Sequence, residues 1–103
     1  MIRGTTPVVT VETDRDLTGF FRVILTIEDK AGTEVDVVGP GPSLSVTSTK
    51  VVAKLTQEQT LALEPGKIRM QIRALDSVGN AVASDILTAK LSDVLKEGVI
   101  SGP

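Results

Sequence analysis

The chain has 103 residues, enough for one domain with one core and too short for two. Its 11 basic residues are scattered and are outnumbered by 13 acidic ones, giving a net charge of −2, which excludes the clustered positive field that nucleic-acid phosphates require. Cys, His, Trp and Tyr are absent, which removes disulfides, thiolate and imidazole metal sites and the usual base of a serine nucleophile; with Phe20 and Phe21 the only aromatics, the core must be aliphatic.

The opening MIRGTTPVVT lacks the apolar run of a signal peptide, and no segment approaches the roughly 20 apolar residues of a membrane span. A protein made and kept in a reducing cytoplasm is the expectation, with no membrane partner. Pro7 cannot donate to a ladder and so marks the start of a first strand, VVTVETD. GFFRVILTIED is the longest strand candidate. A period of two puts Phe21, Val23, Leu25 and Ile27 on its inner face and Phe20, Arg22, Ile24, Thr26 and Glu28 on its outer face. DKAG turns the chain, with Asp29 bonding its own turn and Gly32 supplying a positive φ. TEVDVV alternates again, with Val35 and Val37 inward and Val38 outward.

Two prolines and two glycines in GPGPS, residues 39–43, break the pattern and predict a loop crossing from one sheet to the other. LSVTST and VVAKLT follow as strands, with Val51, Ala53 and Leu55 on one face. TQEQTLAL loses the period of two. Thr56 and Gln59 have the spacing of a capping box, which predicts one or two helical turns. EPGK predicts a type II turn. IRMQIRAL is a strict strand with Ile68, Met70, Ile72 and Ala74 inward. DSVGN is a hairpin loop with Gly79 left-handed. In AVASDILTAKL, Leu87, Ala89 and Leu91 share a face that also takes Asp85, and a bulge near Ser84–Asp85 would repair the register. Asp85 is then expected to accept backbone N–H groups at that bulge. SDVLKEG predicts a short helix capped by Ser92, favoured by Asp93 and stopped by Gly98. VISGP is expected to be a loose tail from about residue 99.

Candidates for chemistry are few. Asp14 and Asp16 sit in a polar turn, and neither TDRDLT nor DSVGN supplies the converging oxygens of a calcium site. A serine near Lys50 reads as a polar strand end. No catalytic residue, cofactor or small-molecule substrate is expected. Phe20, Ile24, Val38, Val52 and Ile86 fall on outer faces. Phe20, Ile24 and Val52 are the candidate interface, the alternative being a core that uses both faces of one strand.

Two resemblances follow from these motifs. LTQEQTLALEPGKIRMQIRALDSVGNAVAS resembles bacterial immunoglobulin-like domains in its order of helical turn, Pro-Gly turn, alternating strand, Asp-containing loop and next strand. Those domains commonly carry a Tyr after the Pro-Gly turn. Lys67 and Ile68 stand there instead, so a tyrosine corner is missing. The implied fold is an all-β, immunoglobulin-like antiparallel β-sandwich of about seven strands with one or two short helical turns, one domain over 1–103. MIRGTTP, KLTQEQTL, ASDILT and VLKEGVI resemble a family of short proteins from prophages of Gram-positive bacteria. They also resemble, more distantly, the N-terminal domain of upper baseplate proteins from phages of lactic-acid bacteria. That resemblance implies a non-enzymatic virion structural protein of the tail or baseplate, assembled in the bacterial cytoplasm and then carried in the virion. Its partners would be other virion proteins or further copies of itself. The alternative is an immunoglobulin-like binding module, an adhesin or a carbohydrate-binding domain.

Overall fold

In the computed structural model, which describes residues 1–102, each alternating run becomes a strand. The order is β1 (Val8–Glu12), β2 (Arg22–Glu28), β3 (Glu34–Gly39), β4 (Leu44–Thr47), β5 (Lys50–Lys54), α1 (Gln57–Ala62), β6 (Gly66–Leu75), β7 (Ala81–Ala83) and β8 (Leu87–Leu91). They form two antiparallel sheets. One has the order β1-β5-β4; the other has β3-β2-β6-β7, with β8 pairing β6 beyond β7. The protein is an all-β sandwich with a short helix. Counting β7 and β8 as one interrupted strand, its sheets have the B-E-D and C′-C-F-G orders of an immunoglobulin-type sandwich.

The core is aliphatic because side chains at every second position meet between the sheets. Val23, Leu25 and Ile27 of β2, Ile68 and Ile72 of β6, and Val51 and Ala53 of β5 are all buried, as are Leu44, Leu55, Leu63 and Leu91. Phe21 departs from the expected alternation. It is 61% exposed, while Phe20 packs against the core. The chain turns over Leu17–Phe20, where the Phe20 N–H donates to the Leu17 carbonyl at 3.1 Å. The ladder begins only at Arg22, so its period cannot be extended back to residue 21.

Two hairpins are closed by the same Asp-x-x-Gly-x loop. In Asp29–Thr33 the Asp29 N–H donates to the Thr33 carbonyl at 3.0 Å and the Gly32 N–H returns to Asp29 at 3.2 Å. The Asp29 Oδ1 accepts from the N–H groups of Ala31 and Thr33 at 2.9 and 2.8 Å. Asp76–Asn80 repeats this pattern, with Oδ1 of Asp76 accepting from Val78 and Asn80 at 3.0 and 2.8 Å. Gly32 and Gly79 take φ of +90° and +94°, which a side chain would oppose. Asp29 differs in being buried, with its Oδ2 also accepting the Glu64 N–H at 2.8 Å. The loop between β2 and β3 is thereby pinned to the entry of β6.

The GPGPS segment does carry the chain from one sheet to the other. Gly39 is needed there for space. A Cβ on it would lie 2.5 Å from the Leu44 carbonyl oxygen and 2.7 Å from its Cδ2. α1 has the expected capping box, in which Thr56 Oγ1 accepts from Gln59 N–H at 3.1 Å and Gln59 Oε1 accepts from Thr56 N–H at 2.9 Å. At EPGK the chain bends without a hydrogen-bonded turn, and Gly66 enters β6 at φ +125°.

The bulge is present. Arg73 lies opposite Ala83 and Met70 opposite Leu87, so Gln71 and Ile72 face three residues, Ser84, Asp85 and Ile86. Ser84, not Asp85, serves the backbone there. Its N–H donates to the Ile72 carbonyl at 2.8 Å and its Oγ accepts the Ile72 N–H at 3.0 Å. Asp85 is exposed, because the extra residue turns its side chain out of the core face. Residues 92–98 are not a helix. The Ser92 N–H donates to the Met1 carbonyl at 2.7 Å and its carbonyl accepts the Arg3 N–H at 2.9 Å, so its backbone is committed to a parallel bridge with Ile2 and cannot cap.

Two expectations follow. Gly39→Ala should cost about 1–3 kcal/mol in urea unfolding, because the atom that it meets is backbone and cannot rotate away. The N–H of Glu64 first, then those of Thr33 and Ala31, hold the Asp29 carboxyl below its ordinary 3.8 despite burial. An acid with a depressed folded-state pKa contributes stability that is complete above its unfolded pKa, and that is lost as pH falls below it and through the folded value. Unfolding free energy should therefore fall progressively as pH drops below about 4. Asp29→Asn should flatten that drop and cost about 1–3 kcal/mol at neutral pH, since its amide would point N–H at N–H toward Glu64.

Candidate functional site

The outer face of the larger sheet is divided along its strands. At the end where β2 and β6 carry Glu28 and Arg69, the row is polar. Arg69 and Glu28 form a cross-strand ion pair, and Thr26 Oγ1 donates to Asp36 Oδ1 at 2.7 Å. At the other end Ile24 lies between Val38 and Arg73, and Arg22 lies opposite Leu75, which faces Ala81. Here a shallow hollow of about 390 Å3 is lined by Ile24, Leu75, Ala81 and Ala83 and framed by Arg22 and Arg73. Neither arginine is in an ion pair among the described residues. Val38 and Leu75 are exposed, and Arg22 lies 5.6 Å from the ring centre of Phe21.

Phe20, Ile24 and Val52 do not form one patch. Ile24 faces outward from the larger sheet. Val52 faces outward from the smaller one, between Thr10 and Ser45, on the opposite side of the sandwich. Phe20 is half-buried against the core. Alternation shows which side of its strand a residue takes, but not which sheet the strand joins. The apolar neighbours that Ile24 does have, Val38, Leu75 and Ala81, come from three strands and are made adjacent only by strand order.

The polar candidates are occupied or exposed. Asp14 and Asp16 are exposed, and Asp16 accepts the Thr18 N–H at 2.8 Å, closing its own loop. Lys50 is an exposed strand end. Among the described residues no group of three or more Asp and Glu converges as metal ligands do.

The most connected polar group has no local signal in the sequence. Arg3 is buried, and its Nε and Nη2 donate to the carbonyls of Leu63 and Leu61 at 2.8 and 2.9 Å. Its Nη1 reaches Asp93 at 2.7 Å and Glu97 at 2.9 Å. Glu97 first and Asp93 next raise its pKa above the ordinary guanidinium value, and Arg3 in turn lowers that of Asp93. The donors point at the C-terminal carbonyls of α1, which otherwise lack partners. Thr60, fully buried, accepts the Gly4 N–H at 2.9 Å and donates to the Thr5 carbonyl at 3.0 Å. This cluster holds the chain ends together, with Asp93 and Glu97 on its exposed side.

No family model, curated protein or solved structure matches this chain. Among the described residues no helix is long and apolar enough to cross a membrane.

Ile24 provides a test of the outer face. It is half-buried among side chains of neighbouring strands, and Arg73 lies directly opposite it. Ile24→Asp should therefore stay folded, with a loss of about 1 kcal/mol in thermal or urea unfolding, because the new carboxylate meets a cross-strand arginine.

Proposed function

We propose that this chain is a structural protein of a phage or prophage virion, a tail or baseplate component that works by packing against neighbouring protein subunits. The observation that carries the reading is the outer face of the larger sheet, where Ile24, Val38, Leu75 and Ala81 make an apolar end framed by Arg22 and Arg73, neither in an ion pair among the described residues. Apolar surface ringed by polar groups is the usual character of a protein contact. The resemblance of MIRGTTP, KLTQEQTL, ASDILT and VLKEGVI to prophage tail-module proteins supports the assignment to a virion. The hydroxyls and carboxylates of Thr56, Thr60, Ser84, Asp29 and Asp76 close turns and caps, which supports a non-catalytic role.

The competing reading, an adhesin or carbohydrate-binding module, needs exposed aromatic platforms. Phe21 is the one exposed ring among the described residues, and Arg22 already stacks on it.

Sequencing the genes beside it and co-expressing the chain with any tail or baseplate proteins that they encode, followed by sedimentation, tests the reading. The wild-type chain should co-sediment with at least one of them. Ile24→Asp should remain folded and lose that association at least about tenfold, as central interface positions do. A wild-type chain that stays monomeric with every neighbouring virion protein would overturn it.

A further inference from the structure

The outer face of the larger sheet is divided across its strands as well as along them, by the sign of its charges. The outward positions of β3 and β2 carry Glu34, Asp36 and Glu28. Those of β6 and β8 carry Lys67, Arg69, Arg73 and Lys90, and no outward position of β6, β7 or β8 is acidic. Asp85, at the bulge, lines a hollow beside Glu12 at the margin instead. Arg22 is the one base on the acidic half, at its apolar end. Of all these charges only Glu28 and Arg69 form an ion pair among the described residues. Apolar side chains lie on both halves. Val38 and Ile24 stand in the same row as Ala83, Leu75 is in the next, and Ile86 lies midway along the strands beside Gln71 and Thr26. Val38, Leu75 and Ile86 are exposed.

A face with this pattern is complementary to itself about one axis. A two-fold axis parallel to the strands, running between β2 and β6, lays β2 over β6 of a second copy and β3 over its β7 and β8, and keeps every residue at the same height along the strands. The apolar end then covers the apolar end, with Val38 over Ala83 of the second copy. At the other end Glu28 falls over Arg69 of the second copy, and Glu34 falls over its Thr88, beside its Arg69 and Lys90. Arg73, which has no carboxylate in its own copy, lies over Ile24 of the other copy with Asp36 beside it. Two twisted sheets stack with their strands about 30° apart, so the facing residues are closest near the axis. A two-fold axis across the strands would instead set the charges of β6 against those of β6 and the apolar end against the polar one, and like charges facing each other repel.

We propose that two copies of this chain pack face to face through their larger sheets about the axis that runs along the strands. The apolar rows supply the buried surface, and the crossing of acidic halves over basic halves sets the orientation. The inference deepens the packing role proposed above by naming the subunit that covers this face. It rests on that role only for the statement that the dimer belongs to a virion.

The exchange of halves supplies the test. One double variant, Glu34→Lys with Asp36→Lys, makes the acidic half basic; the other, Arg73→Glu with Lys90→Glu, makes the basic half acidic. All four positions are exposed, so both variants should keep thermal midpoints near that of the wild type. In sedimentation velocity at rising concentration the wild-type chain should pass from monomer to dimer. Each double variant alone should dimerise at least about tenfold more weakly, because like charges now face each other. Mixing the two should restore a 1:1 dimer, because every crossing again joins opposite charges. The chain has no cysteine of its own, so Val38→Cys and Ala83→Cys report the axis: under oxidation the two variants should cross-link to each other and neither to itself. If a double variant does not fold, the cysteine pair decides. A wild-type chain that stays monomeric, a mixture that stays monomeric, or cross-links within either cysteine variant alone would overturn the proposal. A chain that is monomeric by itself yet co-sediments with a virion protein would overturn the second copy and keep the packing role. A dimer that co-sediments with no virion protein would remove the virion reading alone.

Discussion

β6 is hydrogen-bonded along both edges, and most of the molecule is placed by that fact. Seven of its residues, Arg69 to Leu75, pair with β2, while Gly66–Met70 pair with β8 and Arg73–Leu75 with β7. Ile68, Met70, Ile72 and Ala74 face the core from it. A one-residue slip of β6 against β2 would turn this whole set outward, so the burial of these side chains sets the register of the central pair. The third strand cannot follow the same register throughout. It meets β6 at two phases, and the bulge at Ser84–Ile86 absorbs the difference, with Ser84 satisfying both backbone groups of Ile72.

The ends of the chain are joined by a different kind of contact. Arg3 binds two carbonyls at the end of α1 together with Asp93 and Glu97, and Ser92 pairs with Met1 and Arg3. Burying a guanidinium is tolerable only because its donors find acceptors and its charge meets carboxylates. The same economy holds elsewhere: no buried side-chain nitrogen or oxygen among the described residues lacks a partner. Asp29, Thr60 and Ser84 complete the backbone at a loop, a helix and a bulge. Groups held this way are positioned by the fold.

What remains open is apolar surface, and its two areas have different origins. The outer face of the larger sheet is apolar because Val38, Ile24, Leu75 and Ala81 come together across four strands. The β1 and β7–β8 margin is uncovered because β1 pairs only with β5, and β7 and β8 only with β6, among the strands of the described residues. One is a face and the other an edge, so they recognise different things: side-chain shape on the first, backbone hydrogen bonds on the second.

By itself the sequence determined the strands, the loops and the single helix that rest on local rules. Strict alternation marked β2, β3, β5 and β6. Thr56 and Gln59 marked the capping box, Asp29-x-x-Gly32 and Asp76-x-x-Gly79 marked the two hairpin loops, and the misplaced Asp85 marked the bulge. Each of these signals is carried within a few residues, where backbone geometry and side-chain reach are the only variables. Tertiary structure alone decided the rest. Phe20 and Phe21 exchanged their expected sides because a turn ends the ladder before them. SDVLKEG gave up a helix because Ser92 found Met1 and Arg3, some ninety residues away in sequence. Ile24 and Val52 were separated, and Ile24 was joined to Val38 and Leu75, by strand order. Such contacts depend on which distant segments the folded backbone brings within a few ångströms of each other, and a period of two along one strand contains no information about its neighbours.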